Sequence, residues 1–362
     1  MKKVFKVIAM VMVPVYVAIF LIFILPKSHS QQAPQPQTEV VQVWHVDMFE
    51  GGSGSRADFL MRRAVEYEKQ HKGKYILVKS LTYEQLLGNL AEGLKADIYS
   101  FGPGLAGDLL HELCAFTGKI AIYDNLLQSG VAEDKVFAVP WCAGSYVIVG
   151  LSELVPQDAD FSKLLFSSSR QKGKYQLKSA VMGFSRFNNP LLAAFAADET
   201  LRLSAGSIDE AAGLSQYDAY SKFVTKIHSV FLLGTQRDAV RISQREDAAD
   251  FSLQPLVGFT DLICYLGISK DTKCLSLCNG FIEYVLSPIS QYKLNSLNMF
   301  SVNTVGLYTE GVMKCIEDNM QNLKTINAFT AKEILLEQRQ LALKALKGDA
   351  ESAQKISQLL YL

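Results

Sequence analysis

Residues 44–60 read WHVDMFEGGSGSRADFL and contain the passage that decides the fold. The residues at 40–46, VVQVWHV, are mostly β-branched or aromatic, which predicts a buried strand. A glycine loop follows, and the next helix is predicted over residues 57–70. A strand joined to a helix by such a loop is the first unit of an α/β fold. The backbone amides at the start of the helix can bind a polar or anionic ligand group.

The glycine loop also matches the pattern G-x-G-x-x-A at residues 52–57, which is found in dinucleotide sites. Such a site needs an acidic residue about 20 positions later, at the end of the second strand. Val78, Lys79 and Ser80 occupy that place. The sequence therefore predicts no nucleotide cofactor here. It favours a polar or anionic group of another ligand, with a flexible strand-to-helix turn as the structural alternative.

The alternation of strand and helix continues along the chain. Thr82 and Gln85 form a capping-box pattern that marks the start of the second helix. This order predicts a parallel sheet with helices on both faces, and ligands of such sheets bind beyond the carboxyl ends of the strands. The further elements are predicted as strands at residues 74–80 and 96–102 and as helices at residues 83–94 and 105–116.

The N-terminal region has a different character. Residues 7–26 are uncharged, a length of about 20 residues that matches the hydrocarbon core of a bilayer. Three lysines precede this hydrophobic helix and Lys27 follows it, so the N-terminus is predicted in the cytoplasm and the rest of the chain outside. Residues 1–30 are either an uncleaved membrane anchor or a removed signal peptide. Residues 31–39, rich in glutamine and proline, form a linker.

Composition limits the possible functions. The chain has 362 residues with 36 basic and 36 acidic side chains, and this balance disfavours a nucleic-acid partner. Motifs of zinc proteases, serine hydrolases and P-loop enzymes are missing, and the five histidines show no metal-ligand spacing. We therefore expect no enzyme activity and no metal site. The six cysteines are too few for a disulfide scaffold, and their redox state is left open.

Five segments taken in order resemble a known family. They lie at residues 44–60, 96–104, 137–149, 255–268 and 281–302. Together they resemble bacterial extracellular solute-binding proteins, the receptors of ABC importers, in the maltose-binding-like group. The resemblance spans about residues 40–302.

The resemblance implies a two-lobed α/β fold of the periplasmic-binding-protein type 2, preceded here by the N-terminal hydrophobic helix. The first lobe would combine residues 40–142 with 256–303. The second lobe would combine residues 143–255 with 304–362. The apolar pattern of residues 318–362 separately predicts C-terminal helices with a break near Gly348. A solute would bind in the cleft between the lobes, and the lobes would close over it.

The expected function is therefore that of a monomeric receptor at the extracytoplasmic face of the bacterial membrane, anchored or secreted. It would bind a small solute, for which a carbohydrate is the expected class, and deliver it to the subunits of an ABC permease. Two alternatives stay open. One is a receptor-like protein that serves as a ligand sensor or scaffold, and the other is an enzyme that acts on polysaccharides and would need paired carboxylates in the cleft.

Sugar recognition needs flat aromatic faces and a few directed polar groups in a concave site. For the two tryptophans a buried structural role is the alternative, for Asp261 a capping or turn role, and for Arg237 a solvated loop charge. The candidate ligand-binding residues are Trp44, His45, Asp47, Glu50, Gly52, Ser53, Gly54, Ser55, Arg56, Phe101, Trp141, Arg186, Arg237 and Asp261.

Overall fold

The computed structural model describes most of the chain after the predicted linker. Residues from Glu39 onward belong to one compact unit. The predicted hydrophobic helix and residues 31–37 lie outside the described part, and within that part no helix is long and apolar enough to cross a membrane. The described residues are 38–47, 54–104, 109–156, 158–165, 169–181, 189–198 and 214–360.

Thirteen strands and twelve α-helices are defined within these residues. The strands are β1 (Glu39–Val46), β2 (Lys74–Leu81), β3 (Ile98–Phe101), β4 (Leu113–Cys114), β5 (Val131–Ala132), β6 (Lys135–Val136), β7 (Val139–Ala143), β8 (Tyr146–Leu151), β9 (Arg170–Lys172), β10 (Tyr175–Val181), β11 (Ser229–Thr235), β12 (Phe251–Pro255) and β13 (Ile263–Ser269). The helices are α1 (Arg56–Gln70), α2 (Tyr83–Ala91), α3 (Asp124–Gln128), α4 (Phe161–Leu164), α5 (Asn189–Ala197), α6 (Gln216–Phe223), α7 (Gln236–Ser243), α8 (Leu275–Leu286), α9 (Pro288–Tyr292), α10 (Gly311–Asn319), α11 (Lys332–Ala345) and α12 (Ala350–Leu359).

The first sheet has the strand order β2-β1-β3-β13-β4, and β7 also pairs with β13. Strand β1 runs parallel to β2 and β3, as the strand and helix alternation predicts, with Val43 opposite both Val78 and Ile98. Strand β13 arrives from much later in the chain and pairs antiparallel with β3, β4 and β7. The sheet is therefore mixed, with a parallel half built from the N-terminal part of the chain.

The prediction of a helix over residues 105–116 is wrong in its second half. Leu110–Glu112 forms a single 3₁₀ turn, and β4 follows it at once. Strand β4 exists because Cys114 and Leu113 pair with Ile268 and Ser269 of β13. This long-range pairing overrides the local helical pattern. Residues 105–108 lie outside the described part.

The second sheet has the strand order β12-β8-β11-β10-β9. The chain passes from the first sheet to the second between β7 and β8 and returns between β12 and β13, so these two links are named the first and second crossings. Strands β10 and β11 run parallel and end on the side of the sheet where β8 begins. The carboxyl ends of both strands therefore lie beside the crossings.

Each sheet and the helices packed on it form one layer, and the C-terminal helices belong to the second layer. Helices α11 and α12 pack against each other and against α5. The predicted break between them is confirmed, because Gly348 has a φ of +100°, a conformation that glycine adopts at little cost. The segment before α11 reaches the other layer, since Ala328 N–H donates to Ser129 O over 2.7 Å.

The predicted capping box is confirmed at the start of α2. The Thr82 hydroxyl accepts from Gln85 N–H over 3.2 Å, and the Gln85 side chain accepts from Thr82 N–H over 2.9 Å. Two amides that the helix itself leaves without partners are satisfied in this way.

We expect the substitution Thr82→Ala to lower the free energy of unfolding by about 1 kcal/mol, because the Gln85 amide loses its acceptor. Urea unfolding at neutral pH measures the change. Thr82→Ser keeps the hydroxyl and is the matched control. Equal losses in the two variants would contradict the capping role.

Candidate functional site

The carboxyl ends of β1 and β2 meet at one edge of the first sheet. Asp47 follows β1, and its N–H donates to Leu81 O over 2.8 Å. The Ser80 hydroxyl donates to the Asp47 carboxylate. Asp47 is exposed, so its carboxylate is held in place by the neighbouring strand and still faces solvent. This is the position at which the sequence predicted a polar ligand contact.

The described end of the glycine loop leads directly into α1. Gly54 has a φ of +82°, and a Cβ atom at this position would lie 2.8 Å from Leu297 Cδ2. Ser55 caps α1, because its hydroxyl accepts from Asp58 N–H over 3.2 Å. The chain thus needs glycine at position 54, for its conformation and for the close approach of Leu297. The remaining loop candidates, Glu50, Gly52 and Ser53, lie outside the described residues, as does Arg186.

Two polar candidates are buried in the interior of the protein. His45 is fully buried, and its Nδ1 lies 2.9 Å from Ser100 Oγ. Arg56 is also buried, and its Nη1 donates to Cys264 Sγ over 2.7 Å. A buried guanidinium needs a partner that stabilises its charge. The two side chains contact strands β3 and β13, and their assignment to the ligand site stays a prediction.

Arg237 joins the two layers. It lies in the first turn of α7, where the chain leaves β11 of the second sheet. Its Nε donates to Leu297 O over 3.0 Å and its Nη2 to Gly54 O over 3.4 Å. The side chain is only 3% exposed, so the alternative of a solvated loop charge is wrong. A side chain of the second layer therefore donates a hydrogen bond to the backbone carbonyl of Gly54, at the described end of the glycine loop in the first layer.

The next arginine on α7, Arg241, contacts residues of the second layer. Its guanidinium lies 3.8 Å from the centre of the Tyr220 ring and forms an ion pair with Asp238 over 3.4 Å. Asp238 in turn accepts from Thr235 N–H and completes the capping box of α7. These contacts stay within the second layer.

Asp261 lies in the second crossing and is 2% exposed. Tyr146 O–H, at the end of the first crossing, donates to Asp261 Oδ1 over 2.6 Å. The other carboxylate oxygen is buried and has no hydrogen-bond partner among the described residues. Burial raises the pKa of Asp261 to about 7. Near neutral pH this carboxyl group is therefore protonated in some molecules and ionised in others. It lies at the point where the two crossings meet.

The aromatic candidates lie in the core of the first layer. Trp141 is fully buried and stacks on Phe59, with ring centroids 5.6 Å apart. Phe101 is fully buried against Tyr265, and Trp44 meets Tyr99 edge to face. In this conformation none of the three candidate rings offers an open face to a solute. Their assignment to the ligand site stays a prediction.

A cavity of about 590 Å³ lies beside the second crossing. Its walls come from α4, α5, α12 and the crossing itself, and they combine two phenylalanine rings with side chains of both charges. Phe259 belongs to this crossing, and no local signal in the sequence predicts that the residues of α4 and α5 lie opposite it. The lining residues are Asp160, Ser162, Lys163, Leu191, Ala194, Phe195, Ala197, Asp198, Leu256, Val257, Gly258, Phe259, Lys324 and Ser357.

Sequence reasoning did not identify the partners of the buried candidates. Tyr146, Cys264 and Leu297 belong to segments far from Asp261, Arg56 and Arg237 in the chain, so only the topology of the two sheets reveals them. No group of three histidine, cysteine or acidic side chains in the described part of the chain is arranged to hold a metal ion.

No protein-family model matches this sequence, and no curated protein matches it. Solved structures do match. The sugar-binding protein MalE from Xanthomonas citri has a TM-score of 0.65 at 15% identity, over 89% of this chain and 97% of that one. The cyclic alpha-maltosyl-1,6-maltose binding protein from Arthrobacter globiformis has a TM-score of 0.63 at 12% identity, over 89% of this chain and 98% of that one.

A third structure is an ABC substrate-binding protein from Listeria monocytogenes in complex with cycloalternan. Its TM-score is 0.60 at 10% identity, over 90% of this chain and 97% of that one. At such low identities the likeness establishes the fold. The chain therefore has the two-lobed α/β fold of MalE-like binding proteins, as the sequence resemblance implied.

The carboxyl of Asp261 makes stability depend on pH in a defined direction. The folded protein holds the proton up to about pH 7, whereas an unfolded aspartate releases it near pH 3.9. The contribution of this group is therefore fully present below about pH 4 and is lost as pH rises through 7, by at most about 1.4 kcal/mol per pH unit.

We expect Asp261→Asn, which cannot ionise, to become more stable relative to the native protein as pH rises from 5 to 7. Urea unfolding at several pH values measures the difference. Tyr146→Phe removes the hydrogen bond that favours the charged form, so it should extend the pH-dependent loss to higher pH. A difference between Asp261→Asn and the native protein that is the same at pH 5 and pH 8 would contradict the role of this carboxyl.

Proposed function

We propose that the protein is the extracytoplasmic solute receptor of an ABC importer, that it binds a carbohydrate between its two lobes, and that it delivers this ligand to a permease. The observation that carries the proposal is the bridge from Arg237 to Gly54, by which the second layer contacts the glycine loop at the strand ends of the first. A receptor of this kind needs two lobes that meet over such a site.

The proposed first lobe comprises residues 40–142 and 256–303, and the second comprises residues 143–255 and 304–362. Residues 1–30 would anchor the protein to the membrane or direct its secretion as a monomer. The similar solved structures include proteins described as binding maltose-type sugars and cycloalternan, which supports a carbohydrate as the ligand.

The proposed mechanism is a shift between open and closed arrangements of the lobes. A solute that contacts both lobes binds the closed arrangement more tightly and so increases its population. The bonds from Arg237 to Leu297 O and Gly54 O add to the stability of the closed arrangement, because they join residues of different lobes. The exposed carboxylate of Asp47 would accept hydrogen bonds from hydroxyl groups of the solute.

The polysaccharide-acting enzyme receives less support. Glycoside hydrolysis requires two carboxyl groups about 5 to 9.5 Å apart on either side of the bond that is cleaved. Among the described residues at the strand ends, Asp47 is the acid that faces solvent. Asp261 is 2% exposed in the crossing and accepts a hydrogen bond from Tyr146, so it is not open to a polysaccharide.

The test is calorimetric titration of the purified full chain with maltose, maltotriose and a cyclic maltooligosaccharide, with amino acids and polyols as further ligands. We expect saturable binding of at least one carbohydrate. Arg237→Ala should weaken this binding about 10- to 100-fold, because a hydrogen bond of a charged donor contributes about 1.5 to 3 kcal/mol and the closed arrangement loses one at full strength, the 3.0 Å bond to Leu297 O.

Arg241→Ala is the matched control, since Arg241 lies one turn further along the same helix and contacts only the second layer in the interactions described above. It should leave affinity unchanged. Phe259→Ala distinguishes the strand-end site from the cavity beside the second crossing. Loss of binding in Phe259→Ala with unchanged binding in Arg237→Ala would move the site to the cavity. No binding of any carbohydrate would overturn the proposed function.

A further inference from the structure

Two cysteines face each other across neighbouring strands of the first sheet. Cys142 of β7 lies directly opposite Cys264 of β13 in an antiparallel register, and both are fully buried. Gly144 N–H donates to Leu262 O two residues along, which makes Cys142 and Cys264 a hydrogen-bonded pair of the ladder. The Cα atoms of such a pair are about 5.5 Å apart, within the range that disulfides span.

The surroundings make the two sulfur atoms chemically unequal. Arg56 Nη1 lies 2.7 Å from Cys264 Sγ. A hydrogen bond from Cys142, together with the positive charge of Arg56, lowers the pKa of Cys264 below its usual range, although burial opposes this change. Burial raises the pKa of Cys142. The Arg56 guanidinium therefore favours the thiolate form at Cys264, whereas burial favours the neutral thiol at Cys142.

The other four cysteines, all within the described residues, lack this arrangement. Cys114 lies opposite Ile268 in the sheet. Cys274 and Cys278 lie one helical turn apart at the start of α8, and Cys315 is exposed on α10. The pairing of β7 with β13 is thus the one place where the strand register sets two cysteines opposite each other.

We propose that Cys142 and Cys264 are joined by a disulfide in the mature protein. The bond would tie the strand that leads into the first crossing to the strand that follows the second crossing. It would close a loop that contains the whole second sheet. Both crossings would then start from one covalently fixed point, while the second lobe keeps its freedom to move.

The chemistry is thiol–disulfide exchange with a disulfide-bearing oxidant. The thiolate of one of the two cysteines attacks one sulfur of the oxidant, which breaks the oxidant's sulfur–sulfur bond and releases one thiolate. The deprotonated sulfur of the other cysteine then attacks the mixed disulfide and displaces the second thiolate. Overall the two thiols lose two protons and two electrons, and the oxidant is reduced to two thiols. Because both cysteines are buried in the folded protein, exchange occurs before β7 pairs with β13.

The proposal rests on the extracytoplasmic location given in the proposed function, because disulfides persist in oxidising compartments. Closing a long loop constrains the unfolded chain, so the oxidised protein should also unfold at a higher temperature than the reduced one.

The experiment refolds the reduced full chain from urea in a mixture of reduced and oxidised glutathione, then denatures it and alkylates its thiols with N-ethylmaleimide. Mass spectrometry should find four modified cysteines without reduction and six after it. Trypsin should release the fragments of residues 136–163 and 246–270 as one linked species.

Cys315→Ser is the matched control and should show three modified cysteines with the same linked fragments. Cys142→Ser should show five modified cysteines and no link. Six modified cysteines in the refolded native chain, or a link between other cysteines, would overturn the proposal. The measurement uses no solute. A chain that forms this link and binds no carbohydrate would therefore overturn the proposed function alone.

Discussion

All seven residues of strand β13 are buried, so its backbone amides and carbonyls must find partners inside the protein. They find them in β3 on one side and in β4 and β7 on the other. This requirement brings a late part of the chain into the middle of the first sheet. It also determines the position of the second crossing, because that link must end where β13 begins. The packing of Cys264 against Arg56 and of Tyr265 against Phe101 follows from the same pairing.

The crossings must carry polar backbone through a buried region, and the chain satisfies that backbone locally. Thr260 donates from its hydroxyl to Gly144 O over 2.8 Å and from its N–H to Lys324 O over 2.9 Å. Gln236 accepts from Ser145 N–H over 3.0 Å. These bonds link the two crossings with the segment that precedes α11. Because each bond joins residues far apart in sequence, the two crossings are held beside each other by long-range contacts.

The local elements could be predicted from the sequence because their signals are local. The strand and helix around the glycine loop, the capping box at Thr82 and the break at Gly348 all depend on residues a few positions apart. The short strand β4 could not be predicted, since it exists only beside β13. The burial of Arg237 could not be predicted from the sequence either. Beside Asp238 it has the pattern of a solvated charge, and only the approach of Leu297 and Gly54 supplies its partners.

The burial of the aromatic candidates affects how the proposed site would select its ligand. With Trp44, Phe101 and Trp141 packed in the core, the polar group that the described strand ends offer to solvent is the carboxylate of Asp47. A site built on hydrogen bonds rejects a ligand that lacks one hydroxyl far more strongly than an apolar pocket rejects a missing methylene, because its own polar groups are then left without partners. Selectivity at this site would therefore follow the arrangement of the solute's hydroxyl groups more than its size.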